Sequence, residues 1–282
     1  MKFDKLTGDS TNRIVRLNMT MDTFPDHRIR TIRVWLPESY DGSRRFPVLY
    51  MHDGQNLFDR SDEKNNCWYV DREMVRLERE GLPAIIVGVD NASTRMSELC
   101  PDMPVNPEVY EICMLPPSPI SPTGHLYGDF ITKQLKPMID REFATLPDKD
   151  HTFIGGSSMG GLMSLYLLLK YPEVYGKAMV FSPNLVTHSR ETLVNWIDGY
   201  DFAKLSDSRI FVFHGGIGLE AENMPLVWEL VSRMRSRGMD DTHLAFVYDS
   251  RQPHYETAWR KYFAEAYRYL FMEDNSETKY FQ

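Results

Sequence analysis

Residues 151–171, HTFIGGSSMGGLMSLYLLLKY, decide the fold. They open as a short apolar strand (151–156), turn sharply, and continue as a helix from Ser158. Leu162, Met163, Leu165, Leu167, Leu168 and Leu169 make that helix apolar nearly all round, as in a central buried element. Gly156-Ser157-Ser158-Met159-Gly160 matches G-x-S-x-G between strand and helix, the context the motif requires. Cβ atoms at Gly156 and Gly160 would collide with neighbouring backbone in so tight a turn. The turn sets the Ser158 hydroxyl at a helix start, where N–H groups favour developing negative charge. A glycine-rich structural turn with incidental serines is the alternative. The strand, turn and buried helix together favour Ser158 as a nucleophile. Ser157 is the weaker choice, because its frame ends at Met159 rather than at a glycine.

The rest of the chain agrees with this centre. RIVRLNM (13–19) and IRTIRVWLP (29–37) have the period-two pattern of strands. Short apolar runs follow at 47–51, 84–89, 151–156, 177–182, 209–214 and 243–248. Helix candidates lie between or after them, at 68–80, 127–144, 158–171, 222–237 and 254–271. This alternation is that of buried parallel strands and crossover helices. The expected fold class is α/β: an α/β-hydrolase fold, with a mostly parallel eight-stranded sheet covered by helices on both faces. Prolines at 101, 104, 107, 116, 117, 119 and 122 exclude regular helix or strand from 101–125. A loop of this length after a strand end is either a lid or pocket wall, or a passive insertion.

In this fold the catalytic order is nucleophile, acid, histidine. His254 follows the last predicted strand by six residues and is the expected general base. His243 lies at the wrong end of that strand, and His188 and His214 come too early. The acid belongs in GGIGLEAENMP after RIFVFH, which offers Glu220 and Glu222. Glu220 is preferred, since Glu222 reads as the first turn of the next helix, where a carboxylate is favourable for structural reasons alone. Asp249 is the fallback. The oxyanion hole needs two backbone N–H groups. Met159, after the nucleophile, and Gln55, just past Gly54 in MHDGQNLF, are the expected donors. His52 and Asp53 read as loop-holding hydrogen-bond partners rather than as a metal site or a second acid–base pair.

Bulk properties narrow the partners. The 282 residues carry a formal net charge of −8 with 42% hydrophobic and 26% charged residues. That sign repels polyanions, so nucleic acid is not an expected partner, although ordinary solubility accounts for the charge equally well. No run of about 18 apolar residues indicates a membrane span. The start, MKFDKLTGDSTNR, lacks the apolar core of a secretory signal. Cys67, Cys100 and Cys113 form neither a complete disulfide framework nor a zinc spacing. The expectation is a reduced, cytoplasmic protein: one domain over 10–273 and a frayed tail at 274–282. Oligomeric state leaves no signal in the sequence.

YMHDGQNLFD (50–59), CWYVDREM (67–74), GDFITKQLKPMID (128–140), IGGSSMGGLMSLY (154–166), YPEVYGKAMVFSPN (171–184) and HYETAWR (254–260) resemble an esterase family of the α/β-hydrolases. Its members include family 1 carbohydrate esterases, feruloyl and acetyl-xylan esterases, and siderophore trilactone esterases. The resemblance implies a serine hydrolase of carboxylic esters without metal or organic cofactor, and points to Ser158 and His254. GGIGLEAE departs from the family's single obvious acid, and some siderophore esterases work with a Ser–His dyad. The Pro-rich 101–125 segment is individual to this chain, so substrate choice is expected there. Asp53, Gly54, Trp68, Tyr127 and Pro183 are the expected pocket residues, with Tyr110 a further aromatic. The expected substrate is a small ester, with acyl (feruloyl or acetyl) esters of carbohydrates ahead of siderophore lactones. An acyltransferase on the same scaffold is the next alternative, and a non-catalytic binding module ranks last.

Overall fold

The computed structural model describes residues 4–5, 13–58, 66–116 and 118–271. The expected tail at 274–282, the two ends of the expected 10–273 domain, and Pro117 lie outside them. The eight expected strands are present as β2 (Ile14–Thr20), β3 (Ile29–Trp35), β4 (Val48–His52), β5 (Ile85–Val89), β6 (Thr152–Ser157), β7 (Lys177–Phe181), β8 (Arg209–His214) and β9 (Leu244–Tyr248). A two-residue β1 (Asp4–Lys5) adds a ninth at one edge. The sheet order is β1-β2-β3-β5-β4-β6-β7-β8-β9. Pairs from β1 to β5 along the β3 side are antiparallel, and every pair from β5 through β9 is parallel. Because β5 returns into the gap between β3 and β4, the parallel strands all deliver their carboxyl ends to one edge.

The sequence explains the layering. In β2, Leu17 and Met19 are buried while Arg16, Asn18 and Thr20 are exposed, as a one-sided antiparallel strand requires. Strands β4 to β8 are apolar on both faces, and their residues sort alternately into two cores. Val48 and Tyr50 join one core, while Leu49 and Met51 join the other. Helices α1 (Val70–Arg79) and α9 (Glu256–Phe271) cover one face, contributing Met74, Leu77, Phe263 and Tyr267. The other face takes α6 (Met159–Lys170), with α7 (Arg190–Asp198) and α8 (Leu219–Ser236) beside it. No helix among the described residues is long and apolar enough to cross a membrane.

Several expectations need correction. The helix expected at 127–144 is a continuous helical run in three parts: α4 (Gly124–Asp129), a π-turn (Phe130–Leu135) and α5 (Lys136–Glu142). Helix α7 was not anticipated. It is capped by Ser189, whose side chain accepts from the Thr192 N–H. The proline-rich segment is not wholly irregular, since α3 (Val109–Ile112) forms one turn within it. The segment is also tied down. Asn106 N–H donates to Thr187 O at 2.8 Å, His188 Nδ1 meets Pro104 O at 2.9 Å, and Ile120 N–H donates to Tyr110 Oη at 2.8 Å.

A buried ion pair fixes the connection from β5 to this segment. Glu98, in the short helix α2 (Arg95–Glu98), receives Arg30 Nη2 at 2.6 Å and Arg28 Nη1 at 2.7 Å. The Arg30 and Glu98 side chains are each only 2% exposed, so removing one charge strands the other without water. Glu98→Gln is expected to lower the unfolding free energy by about 3 kcal/mol, read from urea denaturation. A loss below about 1 kcal/mol would contradict this reading of the pair.

Candidate active site

The nucleophile candidate sits where the backbone is most constrained. Ser158 has φ 60° and ψ −124° between β6 and α6, a conformation that non-glycine residues adopt only when the surroundings impose it. Its N–H donates to Phe181 O and its own O accepts from Asn184 N–H, both at 3.0 Å. Ser158 is partly exposed, whereas Ser157 is buried. Gly156 and Gly160 are crowded, but chiefly by a side chain and not by backbone as expected: a Cβ on either would stand 3.0 Å from the His52 side chain, with backbone near only Gly156, at 3.1 Å. Tighter than either is Gly161, where a Cβ would meet Phe181 O at 2.5 Å. The glycine that lets the helix lie against β7 therefore stands just outside the motif.

On the other side of this edge, His254 precedes α9. Its Nδ1 lies 3.2 Å from Glu220 Oε1, and its buried Nε2 has no hydrogen-bond partner among the described residues. The ring packs edge-on against Trp259, with centroids 5.1 Å apart, and Trp259 Nε1 donates to Ser182 Oγ at 2.9 Å. The base candidate is thus held by an indole that is itself tethered beyond the end of β7.

Glu220 is fully buried and Glu222 is exposed. Both belong to the first turn of α8, which corrects the expectation that only Glu222 would be helical. Burial pushes the Glu220 carboxyl up, but contacts with His214 and His254 outweigh it and hold the group down at about 2. Asp249 is engaged elsewhere, by Arg251, Gln252, Lys261 and Tyr262. His214, set aside in the sequence for its early position, ends β8 and lies 3.0 Å from Glu220 Oε2. Its place at the carboxyl end of a parallel strand was the available signal. Trp259 and Ser182 were also missed, since an indole-to-hydroxyl tether leaves no spacing signature.

The turn after β4 approaches the nucleophile from a third direction. Gln55 lies in a single 3₁₀ turn (Gly54–Asn56), and its Oε1 accepts from Asn91 N–H at 2.9 Å. A Cβ on Gly54 would stand 2.7 Å from the carbonyl carbon of Gly88, so this turn packs directly on the end of β5. The Asp53 carboxylate receives Arg95 at 2.6 and 2.8 Å and Asn91 Nδ2 at 2.6 Å. Burial raises the Asp53 carboxyl, but these partners more than compensate and hold it below its ordinary value. His52 is buried, with Nδ1 2.9 Å from Tyr127 Oη. Asn56 Nδ2 donates to Glu256 Oε1 at 3.1 Å, joining this turn to the start of α9.

The expected pocket residues are mostly interior. Trp68 is 3% exposed and stacks on Trp259, and Tyr127 is 2% exposed. The Pro183 carbonyl accepts from Asn223 Nδ2, and the same side chain's Oδ1 receives the N–H groups of Leu185 and Val186. Asp53 and Gly54 are buried in the β4 turn. Exposed apolar side chains include Tyr255 beside His254, Ile217 bridged to Pro253, and Met114 next to Cys113, whose Sγ contacts Asn184.

Residues 27–270 match the family model described as "Putative esterase". The Bacillus subtilis (strain 168) protein named "Uncharacterized protein YbbA" is 20% identical over 261 residues, 88% of this chain and 94% of that one. A solved ferulic acid esterase superposes with a TM-score of 0.67 at 19% identity, covering 92% of this chain and 97% of its own. The Shigella flexneri enterobactin esterase FES, solved with 2,3-di-hydroxy-N-benzoyl-glycine, gives 0.66 at 18% identity, covering 92% of this chain and 59% of its own.

Two outcomes follow from the packing around Ser158. Gly161→Ala forces α6 away from Phe181 O and is expected to cost about 1–3 kcal/mol of stability in thermal unfolding. An unchanged melting temperature would show that the helix yields freely. Burial holds His52 down at about 4 against an ordinary 6.5. The unfolded chain thus takes up a proton from pH 6.5 downward that the native protein refuses until about pH 4. Stability is complete above pH 6.5 and falls by about 3 kcal/mol on acidification through that window. Urea midpoints at pH 7 and pH 5 should converge in His52→Gln if this group is responsible.

Proposed function

The chain belongs to this esterase family, and from that premise we propose that it is a serine ester hydrolase with Ser158, His254 and Glu220 as its catalytic set. The single observation that carries the reading is the 3.2 Å contact between buried Glu220 and His254, whose opposite ring nitrogen has no hydrogen-bond partner among the described residues. That arrangement leaves Nε2 able to take the Ser158 proton as the hydroxyl attacks the ester carbonyl. The N–H groups of Met159 and Gln55 then receive the oxyanion, the first from the start of α6 and the second from the β4 turn. His254 returns the proton to the leaving alcohol, and water repeats the sequence to release the acid. Glu220 orients the imidazole and stabilises its charged form without taking the proton. Glu222 is exposed and has no part in this set.

For substrate we favour an acyl ester of a carbohydrate, feruloyl or acetyl. The ferulic acid esterase matches over nearly its whole length, whereas two fifths of the enterobactin esterase has no counterpart in this chain. The exposed Tyr255, Ile217 and Met114 offer apolar surface to an acyl or aryl group. A net charge of −8 opposes a polyanionic iron–siderophore complex. Acetyl, butyryl, feruloyl and siderophore esters should therefore be compared beside Ser158→Ala. The expectation is hydrolysis by wild type, led by the feruloyl or acetyl ester, and a loss of at least about a thousandfold in the variant. Equal turnover by both proteins would remove Ser158 from the mechanism. Glu220→Gln is expected to slow hydrolysis far more than Glu222→Gln, and the reverse order would reassign the acid.

A further inference from the structure

We propose that the outer edge of β9 is a docking surface for a second copy of this chain, the two β9 strands pairing antiparallel about a two-fold axis at Phe246. The inference is independent of the catalytic reading. Strand β9 ends the sheet and, among the described residues, pairs only with β8. At its start Ile210 N–H donates to His243 O, and just past its end Asp249 N–H donates to His214 O. A parallel ladder engages alternate residues, so His243, Ala245, Val247 and Asp249 turn their main chain towards β8. Leu244, Phe246 and Tyr248 turn theirs outward. The Leu244 N–H folds back onto Asp240 O. The N–H groups of Phe246 and Tyr248 are then the donors on the open edge, beside the carbonyls of all three residues.

Natural edge strands are ordinarily blunted by a charge, a proline or a bulge. Leu-Ala-Phe-Val-Tyr (244–248) contains neither charge nor proline, and its register with β8 is unbroken. Apolar surface flanks it. Tyr248 is 44% exposed, and Trp228 of α8, set edge-to-face on half-buried Phe246, is 47% exposed. The register of a partner follows from the outward groups. Opposed residues of an antiparallel pair exchange both bonds only where each faces the other strand. With the axis at Phe246, that residue meets the partner's Phe246, and Tyr248 meets the partner's Leu244. Every outward donor then finds a carbonyl. A shift by one residue sets outward groups against inward ones.

Charge selects a second copy as the occupant. The turn before β9 carries Asp240 and Asp241, with His243 on the first and Arg235 on the second. The stretch after β9 carries Arg251, joined by Lys261 of α9, against Asp249. Counting carboxylates against Lys and Arg, one end of the edge has an excess acid and the other an excess base. Antiparallel pairing lays the acidic end of each copy along the basic end of the other, and brings exposed Asp241 level with the partner's Arg251. The two-fold axis makes every such contact twice.

Sedimentation velocity of the full chain at micromolar concentration should give a species of twice the chain mass. A monomer throughout overturns the proposal. Tyr248→Pro removes an outward donor at a position where an edge strand accepts proline. It should sediment as a monomer with an unchanged circular dichroism spectrum. Asp241→Arg and Arg251→Asp each set like charges across the axis, and each should weaken the dimer about tenfold. The double exchange should restore it. Both positions are exposed, so this series decides alone if Tyr248→Pro does not fold. A dimer that none of these changes weakens lies on another face, and single exchanges that the double does not rescue exclude the antiparallel pairing. Either result overturns the proposal, whatever the protein does to esters.

Discussion

The approach of α6 to the end of β7 is the constraint on which the site depends. The Phe181 carbonyl accepts the Ser158 N–H and also limits what can stand at Gly161. One oxygen thus fixes both the backbone of the nucleophile candidate and the depth of the helix behind it. The positive φ of Ser158 is tolerated because hydrogen bonds on both sides leave the backbone no alternative. A second left-handed residue, Ser182, follows immediately after β7 and holds Trp259. The same strand end therefore supports the nucleophile candidate through its main chain and the base candidate through a side chain.

Electrostatics at this edge is organised as small neutral groups. Asp53 with Arg95, and Glu98 and Asp26 with Arg30 and Arg28, place equal numbers of carboxylates and guanidinium groups at hydrogen-bonding distance, with the Arg30–Glu98 contact where little water reaches. Such pairing contributes little net stability but strongly penalises the loss of one partner. The cost is rigidity: the β4 turn and α9 are bound together through Asn56 and Glu256.

Much of the fold was legible because it is written in local periodicity. Alternation in 13–19 and 29–37 and unbroken apolar runs from 47 onward identify the eight main strands, and G-x-S-x-G identifies the central turn. The nucleophile candidate follows from that motif and the base candidate from chain order. What escaped notice depends on contacts remote in sequence. His214 and Glu220 are six residues apart, but nothing in RIFVFHGG reveals that the chain folds back so that His214 Nε2 meets the Glu220 carbonyl. Trp68 and Tyr127 read as pocket aromatics because composition does not distinguish a wall from the interior behind it. Helix α7 was missed because Leu193 and Ile197 are its only buried residues, too few for a clear period.

The proline-rich segment is pinned at two places. Asn106 and His188 join it to the stretch after β7, and Ser121 and Thr123 join its far end to Ser97. Between these fastenings, the chain makes its own brace through Tyr110 and Ile120. The middle is not loose, because Cys113 touches Asn184, and the Asn184 N–H in turn holds the Ser158 carbonyl. A change at the exposed Met114 alters the surface, whereas a change at its neighbour is felt two contacts away at the turn between β6 and α6.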